Sequence, residues 1–394
     1  MTTALLSAGL DAPRLDLGVP AGARVVVAMS GGVDSSVAAL LLKKQGYKVV
    51  GVFMRCYNLD GCSERDAEDA RRVAEKLKIP FYVWDFEEEY KKKVVEYMVK
   101  GYKKGITPNP DVMCNREIKF GLFLEKALKM GADYIASGHY VRLRKSQIKN
   151  PKSQTNSKFK IQNSKFSLWQ AKDANKDQSY FLWTLTQKQL KHCLFPIGDY
   201  LKSEVRKIAK KAGLATAEKK DSQGICFLGK VSLDDFLKKY IPEKRGNVLN
   251  ISGKKIGEHK GAHFYTIGQR HGLGIGGSKK PYYVVEKNMK KNTIMVSEGD
   301  DNPALYKKEI ELIDINFINP SHFLIRANGG ITVYARVRYR QPLAKTQFWQ
   351  ITNPESQIPK YKLIFDVPQK FIASGQSAVF YDKKGEMLGG GVII

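Results

Sequence analysis

Five apolar residues in a row, Val25-Val26-Val27-Ala28-Met29, run without a break into Ser30-Gly31-Gly32-Val33-Asp34-Ser35-Ser36. That junction constrains the fold more than any other stretch of the chain. The apolar run reads as a buried strand. The glycines that end it let the backbone take positive φ and approach a ligand closely. Successive backbone N–H groups in such a turn form an anion-binding nest. A helix begins near Ser35, and its positive end adds to the attraction for phosphate. No lysine follows the glycines, which excludes the G-x-x-x-x-G-K-S/T loop of common nucleotide hydrolases. Taken alone, the string also fits an ordinary glycine turn between a strand and a helix.

The strand–helix rhythm continues. Strand-like runs fall at 24–29, 49–54, 81–86 and 134–137. Helical stretches are expected at 36–45, stopped by Gly46, at 65–78, stopped before Pro80, and at 117–130, stopped by Gly131. The second opens on Ser63 and Asp66, a capping-box-like start. Mostly apolar strands alternating with helices predict an α/β fold with a doubly wound parallel sheet. In such sheets ligands bind beyond the carboxyl ends of the strands. Three motifs share that edge: the glycine turn, Met54-Arg55, and Ser137-Gly138-His139-Tyr140.

A further helix is expected at 203–212. Beyond about residue 219 short segments and turn signals replace the rhythm. Residues 331–340 alternate cleanly, with Ile331, Val333, Ala335, Val337 and Tyr339 on one face and Thr332, Tyr334, Arg336, Arg338 and Arg340 on the other. With strands expected at 362–365 and 378–381, the end of the chain reads as a small β-barrel. The expected organisation is a flexible tail (1–22), a nucleotide-binding domain (23–218), a small β-rich central domain (219–286) and a C-terminal β-barrel (287–394). Residues 145–165 carry six lysines and no acid, and read as a flexible insert, a long hairpin or a disordered loop.

Lys and Arg number 66 against 39 Asp and Glu, a formal net charge of +27. An excess of that size favours a polyanionic partner, above all a nucleic acid. No run of 18 apolar residues exists, so no membrane-spanning helix is expected. The first residues have neither a basic start nor a long apolar core, so no secretory signal is expected, and Asp11 and Asp16 argue against a mitochondrial leader. Five cysteines, Cys56, Cys62, Cys114, Cys193 and Cys226, fit free thiols in a reducing cytoplasm. None has zinc-ligand spacing, and no resident metal is expected.

Two cysteines have settings suited to chemistry. Cys114 lies in Asn109-Pro110-Asp111-Val112-Met113-Cys114-Asn115, ahead of the expected 116–130 helix. A thiol at a helix start has its thiolate favoured, and Arg116 and Lys119 add to that. Asp111 is placed either to act as a base or to cap the turn. Cys226 lies in the polar, glycine-bearing Asp221-Ser222-Gln223-Gly224-Ile225-Cys226-Phe227. Cys193, between His192 and Leu194, reads as a packed helix residue, and Cys56 and Cys62 flank a loop with no evident partner.

The string SGGVDSS resembles the PP-loop of ATP pyrophosphatases, the adenine-nucleotide alpha-hydrolase-like enzymes, which split ATP between the α- and β-phosphates. Together with GVFM, NPDVMCNREIKFG, ASGHY, KDQSYFL, DSQGICF, YTIGQRHGLGI and GQSAVFYD–LGGGVII in this order, it is similar to the bacterial tRNA-specific 2-thiouridylases (the MnmA/TrmU family). The resemblance runs from about residue 23 to the end, leaving out the tail and the lysine-rich insert. It implies ATP bound on Ala28, Met29, Ser30, Gly31, Gly32, Val33, Asp34 and Ser35, with Met54 and Gly138 bordering adenine and ribose. Mg2+ enters with the triphosphate, Asp34 being its candidate contact. The wobble uridine of a tRNA, of the Lys, Glu or Gln acceptors, enters beside Asn109, Pro110 and Asp111. Its C2 oxygen becomes adenylated. Cys226 carries a persulfide delivered by a sulfur-relay protein or a cysteine desulfurase. Cys114 is the nucleophile that releases sulfide or closes a transient Cys114–Cys226 disulfide, and Asp111 is the candidate acid/base.

By the same resemblance His139, Lys176, Asp177, Gln178, Arg338, Tyr339 and Gln376 touch tRNA, and the arginine face of 331–340 could follow its phosphates. Two other readings stay open at this level. One is a PP-loop ligase that adenylates a small metabolite; the other is a tRNA-binding protein with a relic nucleotide site.

Overall fold

The computed structural model describes residues 19–57, 61–145, 166–221, 227–229, 231–277, 279–320, 330–351 and 360–394. The N-terminal residues 1–18, most of the lysine-rich insert and Cys226 lie outside them.

The apolar run forms the central strand of the first sheet. β1 (Arg24–Ala28) is flanked by β2 (Lys48–Arg55) on one side and β4 (Tyr134–Ser137) on the other. β3 (Phe81–Asp85) lies outside β2, and β7 (Cys193–Leu194) outside β4. All neighbours are parallel. Val25 and Val27 are fully buried, as a strand covered on both faces requires. The order β3-β2-β1-β4-β7 puts a topological switch beside β1, the place where such sheets open a crevice for ligands.

Helices α1 (Val33–Lys44) and α2 (Cys62–Lys76) follow β1 and β2. α2 starts from Gly61, in the left-handed region at φ 67°, and no side chain caps it. The Ser63/Asp66 capping box is therefore absent, because the chain enters the helix one residue before that serine. Next come α3 (Glu87–Tyr90) and α4 (Glu96–Lys103), joined by a π-helical turn at Lys91–Val95. α5 (Pro110–Cys114) runs through a second π-helical stretch, Asn115–Leu122, into α6 (Phe123–Lys129). This rod begins earlier than its charged residues suggest. Asn109 accepts a hydrogen bond from the Val112 N–H at 3.2 Å, and Pro110 takes the first position.

β5 (Arg142–Lys145) and β6 (Phe166–Trp169) form a hairpin whose connection is the lysine-rich insert. After α7 (Gln187–Leu190), Cys193 sits on β7, not on a helix. α8 (Lys202–Lys211) and α9 (Leu233–Lys238) precede a second sheet. That sheet holds β8 (Gly246–Asn250), β9 (Lys255–His259), β10 (Tyr282–Asn288) and β11 (Thr293–Glu298), ordered β10-β11-β8-β9.

The last sheet comprises β12 (Tyr306–Phe317), β13 (Ile331–Arg336), β14 (Ala344–Ile351), β15 (Lys360–Lys370), β16 (Ser377–Tyr381) and β17 (Glu386–Ile393). It runs β12-β15-β14-β13-β16-β17 and closes through β12–β17 into a six-stranded barrel. Leu312, Val333, Phe348, Leu363 and Phe380 fill it. The β5–β6 hairpin extends this sheet, with Leu168 opposite Met387.

The 331–340 alternation differs from its sequence reading. The strand stops at Arg336, whose side chain is 6% exposed. Here the outer wall of the barrel is covered by the first domain. Ser179 Oγ and Tyr381 Oη lie 2.9 Å apart, and the Tyr180 hydroxyl donates to the Ser377 carbonyl. Arg336 is buried in that seam, ion-paired to Asp177 at 3.3 Å, with its guanidinium over the Tyr381 ring. It does not lie on a phosphate-following face.

Candidate functional site

The glycine turn is built to leave backbone donors open. Gly31 adopts φ 71°, and a Cβ there would strike the Asp66 carbonyl of α2. Gly32 precedes α1, and no side chain caps the helix. Ser30 N–H donates to Ser35 Oγ at 3.1 Å, and the Ser36 hydroxyl donates to the Gly32 carbonyl at 2.8 Å. The serines thus brace the turn from within, and no side chain caps the first amides of α1. Gly138, after β4, is the second close approach: a Cβ would lie 2.6 Å from the Ser35 nitrogen. Met54 is half-buried at the end of β2. The turn, Met54 and Gly138 therefore meet at one sheet edge. An uncapped helix start above two closely packed glycines fits a polyphosphate.

A charged cluster that the sequence did not reveal overlies this turn. Lys202 Nζ donates to both Asp34 oxygens, at 2.7 and 2.8 Å, and pairs with Asp221 at 2.9 Å. The Tyr140 hydroxyl also donates to Asp34. Asp221 is further held by Lys176 at 2.6 Å and Arg206 at 2.7 Å. Burial pushes the Asp221 carboxyl up, but hydrogen bonds from Lys176 and Lys202 outweigh it and bring it down to about 2. Three cations, Lys202, Lys176 and Arg206, thus hold the Asp34 and Asp221 carboxylates beside the turn. Tyr140, Lys176 and Asp221 lie inside motifs already singled out; Lys202 carries no signal beyond opening a helix. For Mg2+, Asp34 offers oxygens already engaged by Lys202 and Tyr140, so a bound ion has to share them.

Cys114 closes the first turns of the Asn109-capped rod and is buried. Burial pushes its thiol up. Lys119 pulls the other way, nearby Asp111 adds to the rise, and a hydrogen bond with Tyr90 opposes it. The thiolate expected at a helix start is thus not favoured: the helix begins at Pro110, four residues upstream, and desolvation dominates. Lys119 also acts electrostatically on His139, whose ring burial holds well below the usual imidazole range. His139 is neutral, with its Nδ1 2.8 Å from Ser137 Oγ. Lys119 thus acts electrostatically on both Cys114 and His139. Cys226 itself lies outside the described residues. Its neighbour Phe227 is buried, with its ring 5.7 Å from that of Tyr90.

Three family models match in series: a tRNA methyl transferase HUP domain over residues 23–230, a tRNA methyl transferase PRC-barrel domain over 234–298, and an aminomethyltransferase beta-barrel domain over 307–393. A tRNA-specific 2-thiouridylase MnmA from Bacillus pumilus is 46% identical over 381 residues, 95% of each chain. Its namesake from Bacillus subtilis is 45% identical over 381 residues, again 95% of each. The chain belongs to the tRNA-specific 2-thiouridylase family. Among solved structures, a 4-thiouridine synthetase–RNA complex with bound ATP aligns at TM-score 0.34 and 16% identity, covering 57% of this chain and 52% of that one. NMN synthetase from Francisella tularensis aligns at TM-score 0.32 and 16% identity, covering 52% and 67%.

The residues that the thiouridylase resemblance assigns to tRNA divide into two groups. Asn109, Arg338 and Gln376 gather where the three domains meet. Gln376 Nε2 donates to the Thr107 carbonyl at 2.8 Å, Arg338 donates to the Ile267 carbonyl at 2.6 Å, and Thr107 and Thr266 share a hydroxyl contact. Tyr339 packs on Phe181 with ring centres 4.5 Å apart. Asp177 is different. It is 2% exposed and accepts from the Ala171 and Ser179 amides, from Ser179 Oγ and from Gln170. Its carboxylate holds the domain seam, paired to Arg336. His139 is likewise buried. Gln178 is tied to Tyr140, accepting its amide proton at 3.0 Å. Among the described residues no helix is long and apolar enough to cross a membrane, and no cluster of three metal-ligating side chains occurs.

Proposed function

We propose that this thiouridylase-family chain is an ATP-dependent tRNA uridine 2-sulfurtransferase that works through Cys114 and Cys226. One observation carries the reading: Cys114 is buried on the Asn109-capped rod with Asp111 and Lys119 acting on its thiol, while Phe227, covalently next to Cys226, packs on Tyr90.

The turn from Ala28 to Ser35 holds the triphosphate of ATP through its amides, with Mg2+ entering on the phosphates. Met54 and Gly138 border the nucleoside. The anticodon base is extruded beside Asn109-Pro110-Asp111, because C2 is inaccessible while stacked. The uridine O2 attacks the α-phosphate; a P–O bond forms and pyrophosphate leaves. The Lys202 ammonium beside Asp34 offsets the charge of the departing group. The terminal sulfur of a Cys226 persulfide then attacks C2, and AMP departs with the former O2. Asp111 takes the Cys114 proton. The Cys114 sulfur attacks Cys226 Sγ, and the S–S bond to the transferred sulfur breaks, with its electron pair completing C2=S. The resulting Cys114–Cys226 disulfide is reduced by an external thiol. A persulfide-bearing relay protein in the cytoplasm supplies the sulfur.

The test incubates protein, tRNA, Mg-ATP and a persulfide donor, then digests the RNA. Wild type should yield 2-thiouridine, AMP and pyrophosphate, and Cys226→Ser should yield none of the thionucleoside. Thiolation by Cys226→Ser at the wild-type level would sink the mechanism.

A further inference from the structure

We propose that a cleft between the second sheet and the barrel holds an unpaired nucleotide of the tRNA, distinct from the uridine that is modified. The inference rests on the tRNA reading above and adds a base-binding site to it. The cleft encloses about 590 Å³, and Gln269, Arg270, His271, Tyr283, Arg338 and Phe371 line it. That volume falls within the range of about 300–1,000 Å³ typical of small-ligand sites. Of these residues the thiouridylase resemblance accounts for Arg338 alone. Gln269, Arg270 and His271 belong to YTIGQRHGLGI, a motif to which the sulfurtransferase reaction gives no part.

The walls of the cleft are fixed by the backbone. The Gly268 N–H donates to the Val284 carbonyl at 2.7 Å and the Val284 N–H to the Gln269 carbonyl at 3.0 Å, which clamps the motif on β10. Phe371 follows β15 at φ 58°, in the left-handed region that a bulky side chain rarely adopts. Its N–H donates to the Leu305 carbonyl at 2.9 Å. Gly268 faces it, and a Cβ there would lie 2.5 Å from the ring. Held in this way, Phe371 stacks on Tyr283 with ring centres 5.5 Å apart and planes within 14°. Strained backbone persists where its surroundings over-determine it, and it clusters at ligand sites.

The charge of the cleft selects the ligand. Arg338 is half-buried, with its guanidinium 5.6 Å from the centre of the Phe371 ring. Among the described residues no carboxylate pairs with it, whereas Arg336, two positions earlier, has Asp177. Arg270 likewise meets no carboxylate there; its Nε donates to His271 Nε2 at 3.0 Å. Asp234, the one acid in the lining, is bonded to Lys260. Two guanidinium groups without counter-ions beside stacked rings suit a ligand with a negative charge and a flat aromatic face. A nucleotide has both, and only an unpaired one presents its base. Thr266, also in the lining, lies 3.3 Å from the Thr107 hydroxyl, two residues before Asn109. The cleft thus borders the segment that receives the target uridine, and its occupant is a neighbour in the same loop.

The experiment measures binding of the full chain to an anticodon stem-loop, and to versions that carry one abasic nucleotide at each unpaired position in turn. Tyr283→Leu and Phe371→Leu should each weaken the intact stem-loop about 5- to 150-fold, the worth of one base stacked on an aromatic ring. One abasic position other than the uridine should cost wild type a similar factor and cost Tyr283→Leu nothing further. Arg338→Met should lower the log–log salt slope by about 0.7, one single-strand phosphate. Aromatic variants that bind the intact stem-loop as tightly as wild type would overturn the proposal. So would an abasic series in which every position costs the variants as much as wild type, which marks the rings as packing only. Saturating AMP should leave stem-loop binding unchanged; competition by AMP that vanishes in Tyr283→Leu would give the cleft to a free nucleotide and overturn it too. If wild type binds no stem-loop at all, the parent tRNA reading fails instead.

Discussion

Replacing Arg336 separates a structural arginine from an RNA-binding one. Its side chain is 6% exposed and its partner Asp177 1%, with 3.3 Å between them. Breaking a buried pair by removing one partner costs about 3–5 kcal/mol, because the survivor stays buried and charged. The two directions are not equal here. Without Arg336, Asp177 keeps two amides, a serine hydroxyl and Gln170 as donors, so Arg336→Met should fall near about 3 kcal/mol. Without Asp177, the guanidinium is left with an Nε that already has no partner, so Asp177→Ala should cost about 5 kcal/mol. The double variant Arg336→Met/Asp177→Asn should recover most of the loss. Urea denaturation followed by tryptophan fluorescence reads these values, since Trp183 donates to Ser377 across the same seam. Binding of tRNA across a salt series supplies the second reading. An arginine that neutralises a phosphate reduces the log–log salt slope by about 1 when it is removed. Arg336→Met should leave the slope unchanged. Unaltered stability together with a slope reduced by one phosphate would refute the seam.

Three further substitutions probe other parts of the molecule. Gly138→Ala should abolish ATP-dependent pyrophosphate release and cost about 1–3 kcal/mol of stability from overpacking, because its Cβ would press on the Ser35 and Asp34 backbone; full activity would show that the loop yields easily. Lys202→Met should raise the KM for ATP at least about tenfold, the effect of about 1.4 kcal/mol of lost charge interaction, and an unchanged KM would remove Lys202 from the phosphate site. Lys287 is held down to about 8 by burial, so its folded value lies below the unfolded one of about 10.4. The folded state then binds fewer protons between pH 8 and 10.4, and this group's penalty is full below pH 8 and relieved above 10.4. Lys287→Met should accordingly gain stability over wild type at pH 7 and lose that advantage by pH 10.5, as thermal melts across that range would record.

Local signals in the chain were enough for the first sheet. An uninterrupted apolar run, two glycines and a helix start leave few alternatives for 25–44, and the order of the later motifs placed the edge where ligands gather. The errors came where a residue's fate depends on distant chain. The alternation of 331–336 was real, yet a period of two cannot tell water from a neighbouring domain on the outer face of a barrel. Arg336 finds its carboxylate 159 positions away. The Lys202–Asp34–Asp221 cluster likewise joins three remote segments. The start of the Cys114 rod was legible but misread. Asn109-Pro110 is itself a cap-and-first-position signal, and it moves the thiol from the mouth of a helix into its second turn.

The pairing of Leu168 with Met387 has a consequence for how the molecule can be taken apart. The hairpin that begins in the first domain is hydrogen-bonded to the last strand of the chain, and Trp183 fills the space over Gly390 that any side chain would need. Cutting the gene between the second and third family-model segments would not release two modules. It would strip the first fragment of the wall against which Tyr180 and Trp183 are buried, and leave the other with a raw strand edge. The chain is inherited as three segments but assembled as a single jig, in which the barrel is fixed against the domain that carries the glycine turn.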